Sequence, residues 1–210
     1  MLGFYNYTVI ATYIGMLSSV VGIIFAMDGH PGYSIICLMF SGLCDMYDGK
    51  IARTRTKSNE QEKKFGIQID SLSDLICFGV LPGIIGYNIG MNRWYFIIVI
   101  GVYILAALIR LAYFNVMEEE RQSQTEEHRK TYSGLPVTTV ALIFPLLFCF
   151  KQYVGSTVFP FLYAGFMLLI SVLFLSNFTI KKPQKKGMMI MLVFGCLEFL
   201  VFLLFRFVLR

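Results

Sequence analysis

Charge is scarce in this sequence: Asp, Glu, Lys and Arg make up 15% of its 210 residues, whereas 57% are apolar. That balance excludes an ordinary soluble domain, in which about a quarter of the residues are charged. The five cysteines, Cys37, Cys44, Cys77, Cys149 and Cys196, stand singly in apolar runs with neither paired nor metal-type spacing. A disulfide framework and a thiolate metal centre are thereby excluded, and the cysteines read as small core residues. His30 falls in a turn cluster and reads as loop. No internal repeat, low-complexity tract or linker interrupts the chain, so residues 1–210 read as a single membrane domain. The start has no basic n-region and no small-residue cleavage site, so Met1 onward is expected to be retained.

What the sequence has in abundance is long apolar runs. About 20 apolar residues cross a bilayer as a helix. Such runs follow one another here as Tyr7–Met27, Tyr33–Arg53, a third beginning near Phe65, Trp94–Met117, a fifth opening at Gly134-Leu-Pro136 and ending near Phe150, Val158–Ser176 and Met188–Leu209. The expected fold is all-α, a polytopic membrane bundle of about seven transmembrane helices. Three loops, Lys50–Lys64, Arg121–Lys130 and Lys181–Lys186, hold 13 of the 18 Lys and Arg residues. Basic loops stay on the cytoplasmic side, which orients the bundle. Glu118–Ser133 lacks apolar periodicity and reads as a solvated connection. Gly79, Gly83 and Gly86 flank Pro82 in the third run, a small-residue pattern that lets membrane helices approach closely.

Four aspartates interrupt this apolar background. Asp45 and Asp48 lie at i,i+3 near the inner end of the second run, and Asp70 and Asp74 at i,i+4 near the start of the third. Each pair therefore shares a helix face. Because the second helix runs inward and the third outward, the pairs are expected to meet at similar depth, each about 7 Å from its helix end. Four uncompensated carboxylates in a membrane would cost on the order of 10 kcal/mol, so something positive must offset them. With no histidine or paired cysteine nearby, the donor set is all oxygen, which suits Mg2+, Mn2+ or Ca2+ and disfavours zinc. Four carboxylates can hold two such ions, and a two-ion site clamps a transferring phosphoryl group. Gly49 and Gly66 leave room for a ligand near the backbone. Arg53 can add a charge-assisted contact to phosphate.

The residues Asp45, Asp48, Gly49, Ala52 and Arg53, followed by Gly66, Asp70 and Asp74, fill every fixed position of the pattern D-x2-D-G-x2-A-R, spacer, G-x3-D-x3-D. In this the sequence resembles the CDP-alcohol phosphotransferases. The twelve-residue spacer Thr54–Phe65 is longer than is usual there, so its contacts are not carried over. The resemblance implies a six-helix core, to which the seventh run adds one helix. It further implies displacement of CMP from a CDP-linked lipid by an acceptor hydroxyl. Asp45, Asp48, Asp70 and Asp74 would be metal ligands, with Asp74 also the base acting on the acceptor. Gly49, Ala52, Arg53 and Gly66 would line the CDP-diacylglycerol site.

Two further segments, Arg110-Leu-Ala-Tyr-Phe-Asn115 and Tyr132-Ser-Gly134-Leu-Pro136, are similar to those of the phosphatidylserine synthase branch. They imply L-serine as acceptor; Arg110 and Asn115 are expected to bind it, the alternative being that Arg110 pairs with the aspartate cluster or the lipid pyrophosphate. Arg110 lies seven residues before Met117, about 10 Å in from the helix end, close to the expected depth of the aspartates. One bidentate arginine suits the single carboxylate of serine. The expected protein is a homodimer in a bacterial or archaeal cell membrane, its active site facing the cytoplasm among membrane lipids, with no nucleic-acid partner. Glycerol 3-phosphate, inositol or inositol phosphate are the alternative acceptors. A cation transporter is the rival from another class, since carboxylates inside membranes also mark ion paths. Against it, both acidic pairs sit near the inner helix ends, and only Glu198 would continue a path.

Overall fold

Small residues line the inner face of the first helix. In α1 (Ile10–Met27) the buried positions are Thr12, Gly15, Ser19, Gly22 and Ala26, while Ile10, Ile14, Leu17, Val21 and Ile24 point outward. This is the pattern of a helix in lipid: apolar bulk gains nothing by leaving hydrocarbon, so close backbone approach and hydrogen bonds hold helices together. The structure, a computed structural model, describes residues 7–52, 59–124, 131–181, 193–197 and 199–200.

Helix α1 packs most extensively on α2 (Pro31–Ala52). Ser41 Oγ donates to the Gly15 carbonyl at 2.8 Å and lies 2.8 Å from Ser19 Oγ. On its other side α2 meets α6 (Val140–Cys149), where a Cβ on Gly42 would stand 2.5 Å from the Ala141 Cβ. Only glycine fits there.

The third apolar run forms a continuous helical rod, Glu60–Asn88. It comprises α3 (Glu60–Asp74), a π-helical stretch Leu75–Val80, and α4 (Leu81–Asn88). It begins five residues earlier than the hydropathy suggests. Asn59 and Glu62 form a capping box, with Glu62 Oε2 accepting the Asn59 backbone N–H at 3.4 Å, so a polar turn precedes the apolar part. Asp70 is accordingly ten residues from its helix start, roughly 15 Å, rather than the 7 Å expected. Asp48 remains four residues from the end of α2, roughly 6 Å.

Helix α5 (Trp94–Gln124) likewise outruns its apolar part by seven residues. Its 31 residues span roughly 46 Å, more than the hydrocarbon core requires. The two extensions meet, with Lys64 Nζ 3.0 Å from Glu119 Oε1. Glu118–Gln124 is thus helix, not connection.

Past residues 125–130, β1 (Thr131–Ser133) pairs antiparallel with β2 (Thr179–Lys181), a two-stranded ribbon absent from the sequence expectation. Gly134 follows with φ +74, beside the Ser176 carbonyl. Pro136 does not open the fifth helix from within. It caps a 3-10 turn, Val137–Thr139, in extended geometry, and α6 starts at Val140. A short turn, α7 (Lys151–Val154), leads to α8 (Phe159–Leu175).

Tyr103, Phe144, Phe159 and Tyr163 fill the centre of the bundle, all fully buried, with Phe144 and Tyr163 stacked at 4.7 Å. Gly83 faces Ile100 and Ile104, and Gly86 faces Tyr163, so the glycines of the third run serve close packing as expected. Among the described residues, three helices are long and apolar enough to cross a membrane: Ile10–Met27, Glu60–Asn88 and Trp94–Arg121. Val137–Cys149 and Phe159–Leu175 are shorter apolar helices. Among the described residues fewer than seven helices meet that length and composition. Of the expected seventh helix, residues 193–197 and 199–200 are helical, and the remainder lies outside the described residues.

Candidate active site

The i,i+3 pair on α2 and the i,i+4 pair on α3 come to one place beside α1, which packs against both helices. One oxygen each from Asp45, Asp70 and Asp74 falls within 4.8 Å of the others. Asp48 interacts electrostatically with all three. It stands slightly apart, its Oδ2 accepting a 3.1 Å hydrogen bond from Thr12 Oγ1. Asp45, Asp70 and Asp74 are half-buried, so the cluster is reachable from outside the bundle.

Charges this close repel by roughly 3–4 kcal/mol per pair at an effective dielectric constant of about 20. A cation would reverse that term. Two oxygens on one hard divalent ion at about 2.2 Å lie about 3 Å apart when adjacent and at most about 4.4 Å when opposite. The observed grouping fits such spacing with little rearrangement. Asp70 Oδ1 is also buried without a hydrogen-bond partner among the described residues. A buried acceptor left unpaired costs about 1–3 kcal/mol, more when charged. A metal ion is the partner that the all-carboxylate set fits.

The π-helical stretch begins directly after Asp74. Pro82 has no N–H to give to the Phe78 carbonyl four residues earlier. Tyr103 from α5 donates to that carbonyl at 2.6 Å. Such π turns occur often beside functional side chains.

The other expected site residues divide. In front of Gly66, one turn from Asp70, nothing among the described residues lies within 4 Å of where a Cβ would be, so the backbone is open to a ligand on that side. Gly49 and Ala52 lie in the last described turn of α2, their surroundings outside the described residues, as is Arg53 itself. Arg110 is 6% exposed, and its Nε donates to the Leu135 carbonyl at 3.2 Å. The two segments that carry the narrower resemblance therefore touch. Asn115 is engaged with α3: its Oδ1 accepts from Ser71 Oγ at 2.7 Å and its Nδ2 donates to Gln68 Oε1 at 3.4 Å. Sequence reasoning missed Thr12, Gln68 and Ser71. The available signal for Thr12 was its place at the head of the small-residue stripe of α1.

The sequence profile of CDP-alcohol phosphatidyltransferases matches residues 5–196. The chain belongs to that family. Among CDP-alcohol phosphatidyltransferase relatives, it is 32% identical over 150 residues to the CDP-diacylglycerol–serine O-phosphatidyltransferase of Saccharomyces cerevisiae, covering 69% of this chain and 53% of that protein. It is 30% identical over 172 residues to the archaetidylserine synthase of Methanothermobacter thermautotrophicus, covering 81% and 66%. It is 30% identical over 190 residues to the CDP-diacylglycerol–serine O-phosphatidyltransferase of Helicobacter pylori, covering 86% and 71%. The chain thus spans between about half and about two thirds of the first two relatives' length. Apolar helices and family together make it an integral membrane protein.

Proposed function

We propose that this chain transfers the phosphatidyl group of CDP-diacylglycerol to the hydroxyl of L-serine, releasing CMP and forming phosphatidylserine. The observation that carries the reading is the oxygen cluster of Asp45, Asp70 and Asp74, a donor set suited to a divalent ion at a phosphate under attack. Serine is also common to the names of the three relatives, two of which name diacylglycerol and one an archaetidyl lipid.

Asp45, Asp48, Asp70 and Asp74 would hold divalent metal, two Mg2+ or Mn2+ ions. When bound, it neutralises the pyrophosphate and polarises the phosphorus under attack. Gly49, Ala52, Arg53 and Gly66 bind the CDP headgroup, with the open space before Gly66 admitting it next to Asp70. Asp74 takes the proton from the serine hydroxyl as the oxygen attacks phosphorus and the bond to CMP breaks. Arg110 grips the serine carboxylate, for which a planar guanidinium is suited. Asn115 adds a polar contact by exchanging the looser of its two bonds, that to Gln68.

The whole chain acts as one catalytic domain, in a homodimer, with the carboxylates facing the cytoplasm of a bacterial or archaeal cell. The basic loops support that orientation, since they adjoin the helix ends nearest the aspartates. One experiment tests the class and the acceptor together. Purified protein receives CDP-diacylglycerol with serine, glycerol 3-phosphate or inositol in parallel, and the lipid product is identified. Phosphatidylserine with CMP is expected. Another lipid would replace the acceptor, and no CMP from any mixture would refute the transferase reading.

A further inference from the structure

Thr12 of α1 touches both acidic helices. Its hydroxyl donates to Asp48 Oδ2 on α2 at 3.1 Å, and its backbone carbonyl accepts from Ser73 Oγ on α3 at 3.4 Å. Ser73 is the neighbour of Asp74. Thr12, Asp48 and Ser73 are all buried. The geometry is set by backbone, not by reach, because a Cβ on Gly15, three residues after Thr12, would stand 3.1 Å from the Cβ of Cys44, the neighbour of Asp45.

A hydroxyl inside an apolar helix ordinarily satisfies itself on the carbonyl four residues back. Ser34, Ser171 and Ser176 do this here, bonding His30, Met167 and Val172. Thr12 instead spends its hydroxyl across the interface, on the one aspartate of the four that stands outside the compact group of three. A carboxylate turns easily about its last bond. A donor fixed to one oxygen stops that turning and sets the direction of the other.

We propose that Thr12 is a positioning residue for Asp48, holding the carboxylate in the rotation from which it joins Asp45, Asp70 and Asp74 around a divalent cation. Helix α1, which carries none of the acidic motif, is then part of the cation site. The proposal rests on the reading of the four aspartates as that site.

The test compares Thr12→Val, which keeps the branched shape without the hydroxyl, with Thr12→Ser, which keeps the hydroxyl. Mn2+ binding to the detergent-purified full chain is followed, without substrate, by loss of the free-ion electron spin resonance signal. Thermal unfolding in chelator and kcat are measured alongside. Loss of an outer partner of a metal ligand typically costs about 10–100-fold in affinity, so Thr12→Val should bind Mn2+ that much more weakly, with kcat reduced and Thr12→Ser recovering most of both. Unfolding in chelator should barely change. Should Thr12→Val fail to fold, Thr12→Ala serves for the same comparison. Wild-type Mn2+ affinity in the hydroxyl-free variant overturns the proposal, as does equal loss in Thr12→Ser, which would mark a packing role for the methyl group. Absence of Mn2+ binding in the unaltered protein would remove the cation site itself, and so is distinguishable from failure of Thr12 alone.

Discussion

The hydroxyl of Tyr103 lies 2.6 Å from the backbone carbonyl of Phe78, both residues buried, and takes the place of the N–H that Pro82 lacks. In Tyr103→Phe the ring still fills its space but the carbonyl loses this donor. The expected cost is about 1 kcal/mol of unfolding free energy, given the modest worth of hydrogen bonds between membrane helices. Denaturant titration in detergent reads it. An unchanged midpoint would mean the carbonyl finds another donor.

Gly42 and Ala141 make a close approach between α2 and α6. Gly42→Ala should destabilise by about 1–3 kcal/mol through overpacking. Because Asp45 lies one turn further along the same helix, activity should fall as well. Adding Ala141→Gly vacates the clashing atom, and the double variant should regain more than half of the loss. Additive losses in a double-mutant cycle would show that the helices do not meet as described.

The carboxylate cluster yields a prediction about metal. Activity should vanish in excess chelator and return with Mg2+ or Mn2+. Asp45→Asn, Asp48→Asn and Asp70→Asn should each leave less than about 1% of turnover, since each removes a charged ligand. Asp74→Asn should lower kcat by about 100-fold or more while changing the KM for CDP-diacylglycerol little, because a base acts chiefly in the transition state. Full activity in chelator contradicts the metal; normal turnover of Asp74→Asn contradicts the base.

Arg110 is buried beside the Leu135 carbonyl. Arg110→Lys retains the charge and loses the planar fork, so the KM for serine should rise at least about tenfold with that for CDP-diacylglycerol nearly constant. Steady-state kinetics in both substrates decide it. The reverse pattern would assign Arg110 to the donor.

The acidic site was legible because charge in an apolar run is conspicuous and its spacing fixes the helix face. The meeting of Asp45, Asp70 and Asp74 followed from antiparallel helices alone. Helix ends were not legible in the same way. Hydropathy starts α3 at Phe65, where apolar residues begin, whereas the chain starts it at Glu60, held by the Asn59–Glu62 capping box and by the Lys64–Glu119 pair in solvent. The ribbon was beyond reach, since three-residue strands show no periodicity and Thr131 pairs with Lys181, far along the sequence. Thr12 looks like an ordinary polar residue until α2 and α3 are laid against it.

The ribbon also imposes an order on synthesis. Chains fold as they emerge, amino-terminal parts first. The helices that carry the four aspartates are complete by Asn88, but Gly134 and Leu135 bond to the Phe178 and Leu173 carbonyls, and Thr131 waits for Lys181. The Leu135 carbonyl that receives Arg110 is therefore fixed only after α8 has left the ribosome. A nascent chain would hold its carboxylates together well before it could fix Arg110 in place.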